Sequence, residues 1–460
     1  MANKIENFFA PSIDPRFNIL NQATAVDCSN SNLIIRRQPP NSGSAGANGF
    51  NYNGGTVYFD ISNGGNDLRE NLNGMAVIGK WHAQKSNGNP VDRNTVGIEP
   101  DLACAAIKSI RCHINSSSEP IEVYSNANYG DALKVRHLLT MSNQMLESGA
   151  GGACLPPYFS SNLDTKTTFS IETLARSATF LAGPNQILYN SFRWSLPWLF
   201  SFATVPALSS ILRIQLYIDW QPQDQVLFKM TSNADTNLFI IDDIVLETDS
   251  TRMTTIQNSL EIKEQVSGSS AQNFLFPYYD TISQTYTGSS TLICTGVSNL
   301  QAAVLLFPST SCSSQGVNRY QYMPNDLSSV NANYKSMSVP QTQVPLSVTQ
   351  PSQNIEIYNM YIRTCNLQYS ENFVAAIPFE SGFGASMNPY TDASQYLYCF
   401  PFNAGLLPTL SDASDLQIYT SQSYSGDPHN ASTNCSCIIV RIRLIAYQVK
   451  PDGSTQKFFT

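Results

Sequence analysis

The sequence predicts an all-β protein built from two large consecutive sandwiches, with one short helix in the first. Three observations carry this expectation. Several stretches alternate apolar and polar residues with a period of two, Gly/Asn/Ser/Pro clusters punctuate them, and 460 residues accommodate two β units of roughly 200–250 residues. Many short strands with such punctuation indicate sandwich architecture.

Taken in order, residues 1–20 read as an N-terminal arm. Within it KIENFFAPSIDPRF (4–17) sets Phe8, Phe9 and Phe17 between prolines, a pattern that suits docking on another surface better than a stable helix. No apolar run of signal-peptide length occurs there and no 18-residue apolar stretch follows, so synthesis in the cytosol without a signal peptide is expected. QPPNSGSAGANGFNYNGG (38–55), SNGGND (62–67), SNGNP (86–90) and GPNQ (183–186) are connections, and the Ser/Asn-rich stretch 308–345 is a candidate surface connection. SIRCHI (109–114) is strand-like. DALKVRHLLTMSNQML (131–146) places Val135, Leu138, Leu139, Met145 and Leu146 near helical spacing, with Asp131 favourable at the positive N-terminal end. SLPWLFSF (195–202) suits a first helical turn at Pro197 and an apolar loop equally. ILRIQLYIDW (211–220) alternates Leu212, Ile214, Leu216, Ile218 and Trp220 against a mostly polar face, the mark of a half-buried strand. IIDDIVLET (240–248), IEIYNMYIR (355–363) and CIIVRIRLIAYQV (437–449) read the same way, the last with Val440, Ile442, Leu444 and Ala446 opposite Arg441 and Arg443. No repeat of 20–50 residues is present, which excludes solenoids and propellers.

Composition narrows the function. Charged residues are 13% of the chain, about half the roughly 25% usual in soluble proteins, and the 26 basic residues against 34 acidic ones form no basic block. Phosphate backbones need clustered Lys and Arg, so direct nucleic-acid binding is not expected. Low charge instead suits a chain that meets neighbours through many lateral contacts, where dense like charge would repel.

Catalytic vocabulary is absent: there is no GxSxG, HExxH, Walker loop, GxGxxG or EF-hand loop. His82, His113, His137 and His429 are isolated in sequence and read as hydrogen-bonded packing residues, although folding could bring His82 and His113 together. Cys154 closes the run GGAC (151–154) with no identifiable base. Asp242 and Asp243 are strand neighbours that point to opposite faces and cannot share a substrate. The ten cysteines form no CxxC, and Cys435 with Cys437 is a single CxC without further ligands, so reduced buried thiols are expected. The sequons at Asn115, Asn430 and Asn434 carry little in a cytosolic chain. Trp81, Trp194, Trp198 and Trp220 suit core packing more than sugar stacking. No catalytic, cofactor-binding or metal-binding residue is nominated, and no enzyme is expected.

Four stretches, in this order, resemble the major capsid proteins of the double jelly-roll lineage, which includes tectivirus-like, adenovirus-like, large DNA virus, virophage and Polinton-like members. LACAAIKSIRCHINSSSEPIEVYSNANYGDALKVRHLLTM (102–141) resembles the family's strand, polar turn and second strand leading into a helix. SLPWLFSFATVPALSSILRIQLYIDW (195–220) resembles the apolar loop and long strand near the end of the first jelly roll. LFIIDDIVLETDSTRM (238–253) is similar to that unit's last strand, with Asp249 and Arg252 in place of a richer Glu/Arg run. CIIVRIRLIAYQVKPDG (437–453) resembles the closing strand of the second unit. The resemblance implies two consecutive eight-stranded jelly rolls, with an arm at 1–20, a first unit at 21–250 and a second at 251–460. It further implies a homotrimer whose six jelly rolls give a nearly hexagonal outline, lateral contacts between such capsomers in an icosahedral double-stranded DNA virus or virus-like element, and a place in the virion. Minor capsid proteins, and an internal membrane reached through the arm, are the other partners it implies. The alternatives are a minor capsid or vertex protein on the same scaffold, a glycan-binding β-sandwich module, and a cupin- or glycosidase-like enzyme assembled only on folding.

Overall fold

The computed structural model describes residues 33–41, 45–46, 49–50, 55–62, 68–92, 96–99, 101–115, 120–126, 128–141, 189–195, 213–229, 235–252, 272–288, 290–308, 319–320, 322, 327–346, 354–368, 377, 396–402, 413–422, 435–449 and 455–457. Eight strands before residue 253 build the first sandwich, beside two short two-stranded pairs: β1 Leu33–Gln38, β2 Thr56–Ile61, β3 Leu68–Lys85, β4 Ile107–Asn115, β5 Pro120–Asn126, β6 Tyr189–Ser195, β7 Arg213–Trp220 and β8 Asn237–Arg252. They form two antiparallel four-stranded sheets, ordered β1-β8-β3-β6 and β2-β7-β4-β5. Eight strands after residue 271 build the second, with a short strand at Thr455–Lys457 added beside the last of them: β9 Gln272–Tyr286, β10 Ser290–Val297, β11 Leu300–Leu306, β12 Leu327–Tyr334, β13 Met337–Pro345, β14 Tyr398–Pro401, β15 Ser414–Gln422 and β16 Cys435–Val449. Their sheets run β9-β16-β11-β14 and β10-β15-β12-β13, which is the first pattern with eight added to every label. First strand beside last, second beside seventh, is the strand order of an eight-stranded jelly roll, and it occurs twice.

The period-two sequence pattern sets which residues meet in the core. Along β7, Arg213 is exposed while Ile214, Leu216, Ile218 and Trp220 are buried. Leu216 pairs with Phe59 of β2 on one side and Cys112 of β4 on the other, and all three are buried. Each such aliphatic side chain contributes about 1.5–3 kcal/mol by leaving water. On β16, Val440, Ile442 and Leu444 face inward, while Arg441 on the opposite face grips Asp280 of β9 through two bonds of 2.8 and 2.6 Å. The first sandwich makes the same kind of clamp on its own terminal strands. There Glu247 of β8 lies 3.0 Å from Arg37 of β1 and 3.0 Å from Arg193 of β6. Buried apolar residues of both sandwiches form one continuous core.

Three helices are described: α1 Leu102–Ala106, α2 Tyr129–Thr140 and α3 Ile355–Gln368. Helix α2 links β5 to β6 and α3 links β13 to β14, the same place in each sandwich, and the two helices pack together. The expected helix at 131–146 is therefore found two residues earlier, at Tyr129, and is helical to Thr140; residues 142–146 lie outside the described residues.

Two readings are corrected. The stretch 355–363, expected as a strand, is the first part of α3. Its buried residues Ile357, Met360, Tyr361, Thr364 and Cys365 follow helical spacing, and the apolar residues at 355, 357 and 361 happened also to fall on alternate positions. A helix is thus present in both units rather than only the first. The stretch 308–345, expected as a surface connection, contains the paired strands β12 and β13, because Leu327, Val330, Ala332 and Tyr334 turn inward between its small polar residues. Residues 196–202 and the arm at 1–20 lie outside the described residues. Within 38–55, residues 45–46 pair with 49–50 as a small hairpin.

Candidate functional site

Helix α2 is buried on almost every side, yet it carries Asp131, Lys134 and His137, which are 1%, 1% and 4% exposed. A helix enclosed in this way is normally apolar all round, so each of these groups needs a partner. The partners come from α1, from the segment just before it, and from the second sandwich.

Asp131, in the first turn of α2, accepts a hydrogen bond from Tyr322 Oη at 3.0 Å and one from Arg319 Nη2 at 3.0 Å. Both donors belong to the segment between β11 and β12. Burial raises the Asp131 carboxyl above its usual value, and the Arg319 charge together with the Tyr322 bond offsets only part of this. The neighbouring Tyr320 donates from its hydroxyl to the carbonyl of Cys104 in α1, at 2.7 Å. Gly130 is required for that approach: a Cβ there would lie 2.3 Å from the Cys104 oxygen and 2.4 Å from Tyr320 Oη. Further along, Tyr361 of α3 donates to the Leu138 carbonyl of α2 at 2.7 Å and accepts from the Ile377 amide at 3.2 Å. Arg136 stands 5.4 Å over the ring of Tyr279 in β9, which is itself buried. Four hydrogen bonds and one cation–π contact from α1 and α2 thus join the two sandwiches.

The other side of α2 faces Glu99, Asp101 and Cys104. Lys134 Nζ is hydrogen-bonded to Glu99, and His137 Nδ1 lies 2.6 Å from Asp101 Oδ2. Burial works against the charged form of Lys134, but Glu99 and Asp101 outweigh it and raise its pKa, so the ammonium is retained. Burial likewise opposes ionisation of Asp101, and the charges of His137 and Lys134 outweigh it to leave the carboxyl below its usual value. Cys104 is pushed well above the ordinary thiol value by burial and by the Asp101 charge. Asp101, Cys104 and His137 present ligand atoms that all lie within 4.8 Å of one another, the one such group among the described residues.

A concave feature of about 640 Å³ lies at one end of the first sandwich among Thr56, Lys108, Asp219, Trp220, Asp224 and Leu238. Its central carboxylate is already engaged, since Asp219 accepts from Thr56 Oγ1 at 2.5 Å and from the Ser109 hydroxyl. Trp220, at 3% exposure, has no ring face free for stacking on a ligand.

The other residues weighed from sequence take separate places. His82 pairs with Asp242 at 2.9 Å, while Asp243, at φ 53° in a bulge of β8, pairs with Lys80 at 2.8 Å. His113 is tilted against Tyr217 at 5.3 Å, on a different sheet from His82. Cys435 and Cys437 are buried free thiols, as are Cys104, Cys112, Cys294, Cys365 and Cys399. Trp81 stacks on Phe239, and Trp194 stacks on Phe192 and meets Trp220, all within the core. Asn115 ends β4. Cys154, Trp198, His429, Asn430 and Asn434 lie outside the described residues.

No family model matches the sequence, and no curated protein matches it. Solved structures do. The mavirus major capsid protein superposes with a TM-score of 0.52 at 11% identity, over 95% of this chain and 91% of its own. A chain of the Sputnik virophage structure superposes with a TM-score of 0.54 at 10% identity, over 97% of this chain and 92% of its own. With its twofold occurrence of one strand order, the chain is a double jelly roll, and its fold is that of the mavirus major capsid protein.

Proposed function

We propose that the chain is the major capsid protein of an icosahedral double-stranded DNA virus or virus-like element, a structural subunit with no catalytic step and no direct contact with nucleic acid. The observation that carries the reading is the pair of matching sandwiches held by one buried joint, a likeness to the mavirus major capsid protein that extends over nearly the whole of both chains. Three copies placed about a threefold axis would present six similar sandwiches and so a nearly hexagonal outline. Such a unit tiles a shell through repeated heterologous side contacts. The division is an arm at 1–20, a first unit at 21–250 and a second at 251–460, and the place of the protein is the virion shell. The arm, with Phe8, Phe9 and Phe17, is assigned to a contact beneath the shell with a neighbouring subunit, a minor capsid protein or an internal membrane.

The experiment compares the whole chain with a form lacking residues 1–17, by electron microscopy of the purified capsomers and of the particles they form. Hexagonal threefold capsomers are expected from both, and shells only from the whole chain. Single sandwich pairs without threefold outline would overturn the capsid reading, whereas normal shells from the shortened form would overturn only the role of the arm.

A further inference from the structure

Three side chains that are far apart in sequence form a compact donor set in the core. Asp101 begins the single turn of α1, so Cys104, three residues on, lies on the same side of it. Helix α2 packs against α1 and lays His137 across that side, with Nδ1 at 2.6 Å from Asp101 Oδ2. The three are 0%, 0% and 4% exposed. Asp101 Oδ1 is buried outside any geometric hydrogen bond, and the Cys104 thiol already interacts with the same carboxylate, so the two ligand groups face each other.

We propose that Asp101, Cys104 and His137 bind one zinc ion. The chemistry of the donors selects the metal. One sulfur, one imidazole nitrogen and one carboxylate oxygen form a borderline-soft set that suits zinc, whereas magnesium and calcium prefer oxygen alone. Bonds of about 2.0–2.3 Å to a tetrahedral ion place neighbouring ligand atoms roughly 3.2–3.8 Å apart. The existing spread, within 4.8 Å, is close to that range. As the Sγ–zinc bond forms the Cys104 proton leaves to solvent, and the Asp101–His137 hydrogen bond is exchanged for two metal bonds. Lys134 stays with Glu99, which leaves the Asp101 carboxylate to balance the ion. Three protein ligands leave one position for a water molecule. Tyr320, bonded to the Cys104 carbonyl, closes the site from the second sandwich, so a bound ion would fasten α1 and α2 at the place where the two units join. The inference rests on the geometry of this cluster and is independent of the capsid reading.

Cobalt(II), which reports its own coordination, is titrated into the full-length protein after chelation, and zinc is then used to displace it. One equivalent is expected, with tetrahedral d–d bands and a thiolate-to-cobalt charge-transfer band. The charge-transfer band should vanish in Cys104→Ser, and affinity should fall at least tenfold in His137→Gln. Zinc, and not magnesium, should raise the melting temperature of the wild-type protein. The wild-type measurements decide the matter even where a variant fails to fold. No stoichiometric binding by the wild type, cobalt bound without a charge-transfer band, or a band that persists in Cys104→Ser would each overturn the site.

Discussion

Replacing Asp131 tests the joint between the sandwiches at its most enclosed point. Asp131→Ala removes the acceptor of the Tyr322 hydroxyl, and Tyr322 is fully buried, so its O–H is left without a partner at a cost of about 1–3 kcal/mol. Arg319 behaves differently. Its side chain is 45% exposed and returns to water, so the lost ion pair adds only about 0–1 kcal/mol. Loss of a negative group from the first turn of α2 adds about 0.3–1 kcal/mol. The expected total for Asp131→Ala is therefore on the order of 1–5 kcal/mol. Asp131→Asn keeps an acceptor for Tyr322 and removes a charge whose burial is uphill, so it should cost about 1 kcal/mol or less. Because the folded carboxyl takes up its proton above the usual aspartate value, acid neutralises Asp131 first in the folded state. Its contribution to stability then grows as pH falls, and the deficit of Asp131→Asn relative to wild type widens in the same range. Urea unfolding followed by circular dichroism measures these differences. Equal losses in the Ala and Asn variants would refute the reasoning, since the charge rather than the acceptor would then be the stabilising element. A loss below about 0.5 kcal/mol for Asp131→Ala would refute the joint itself.

Two further substitutions probe close approach and surface charge. In an exposed helix Gly→Ala gains about 1 kcal/mol, but Gly130→Ala drives a methyl group into the Cys104 carbonyl and Tyr320, so a net loss of about 1–3 kcal/mol is expected from the melting temperature, and a gain would count against the described contact. Burial alone raises the Glu247 carboxyl, and hydrogen bonds from Arg193 and Arg37 more than offset it, which leaves the folded pKa below the usual value. Its stabilisation is therefore complete above the unfolded glutamate value of about 4.3 and is lost as pH falls through the lowered one. Glu247→Gln should be less stable than wild type near neutrality, by on the order of 1 kcal/mol, and equal to it in strong acid; a deficit that does not change with pH would contradict the assignment.

What the sequence makes legible follows from the length over which its signals act. The β7 strand is readable because Ile214, Leu216, Ile218 and Trp220 alternate without a break, and burial follows that alternation residue by residue. In the 102–141 segment the strands β4 and β5 and helix α2 are readable for the same reason, whereas the single turn of α1 at Leu102–Ala106 is too short to show a period. Helix α3 is hidden in 355–363 because nine residues with apolar side chains at mixed spacings fit both periods, and Thr364 and Cys365, which reveal the helical stripe, lie just beyond. The β12–β13 pair is hidden by Ser and Asn, residues common in loops, although only one face of that hairpin is polar. The joint is not readable at all. Asp131 meets Arg319 and Tyr322 across 188 and 191 positions, and Asp101 meets His137 across 36. One local signal was present: in a chain that is only 13% charged, Asp131, Lys134 and His137 share a short helix otherwise rich in core residues, and charges in that setting require partners.

The proposed assembly into trimeric shell subunits is tested most directly by the native mass of the purified protein. Light scattering across a series of protein and salt concentrations should give a stable species of about three times 50.6 kDa. A strict monomer at every concentration would contradict the account and favour a binding module or an enzyme on the same fold.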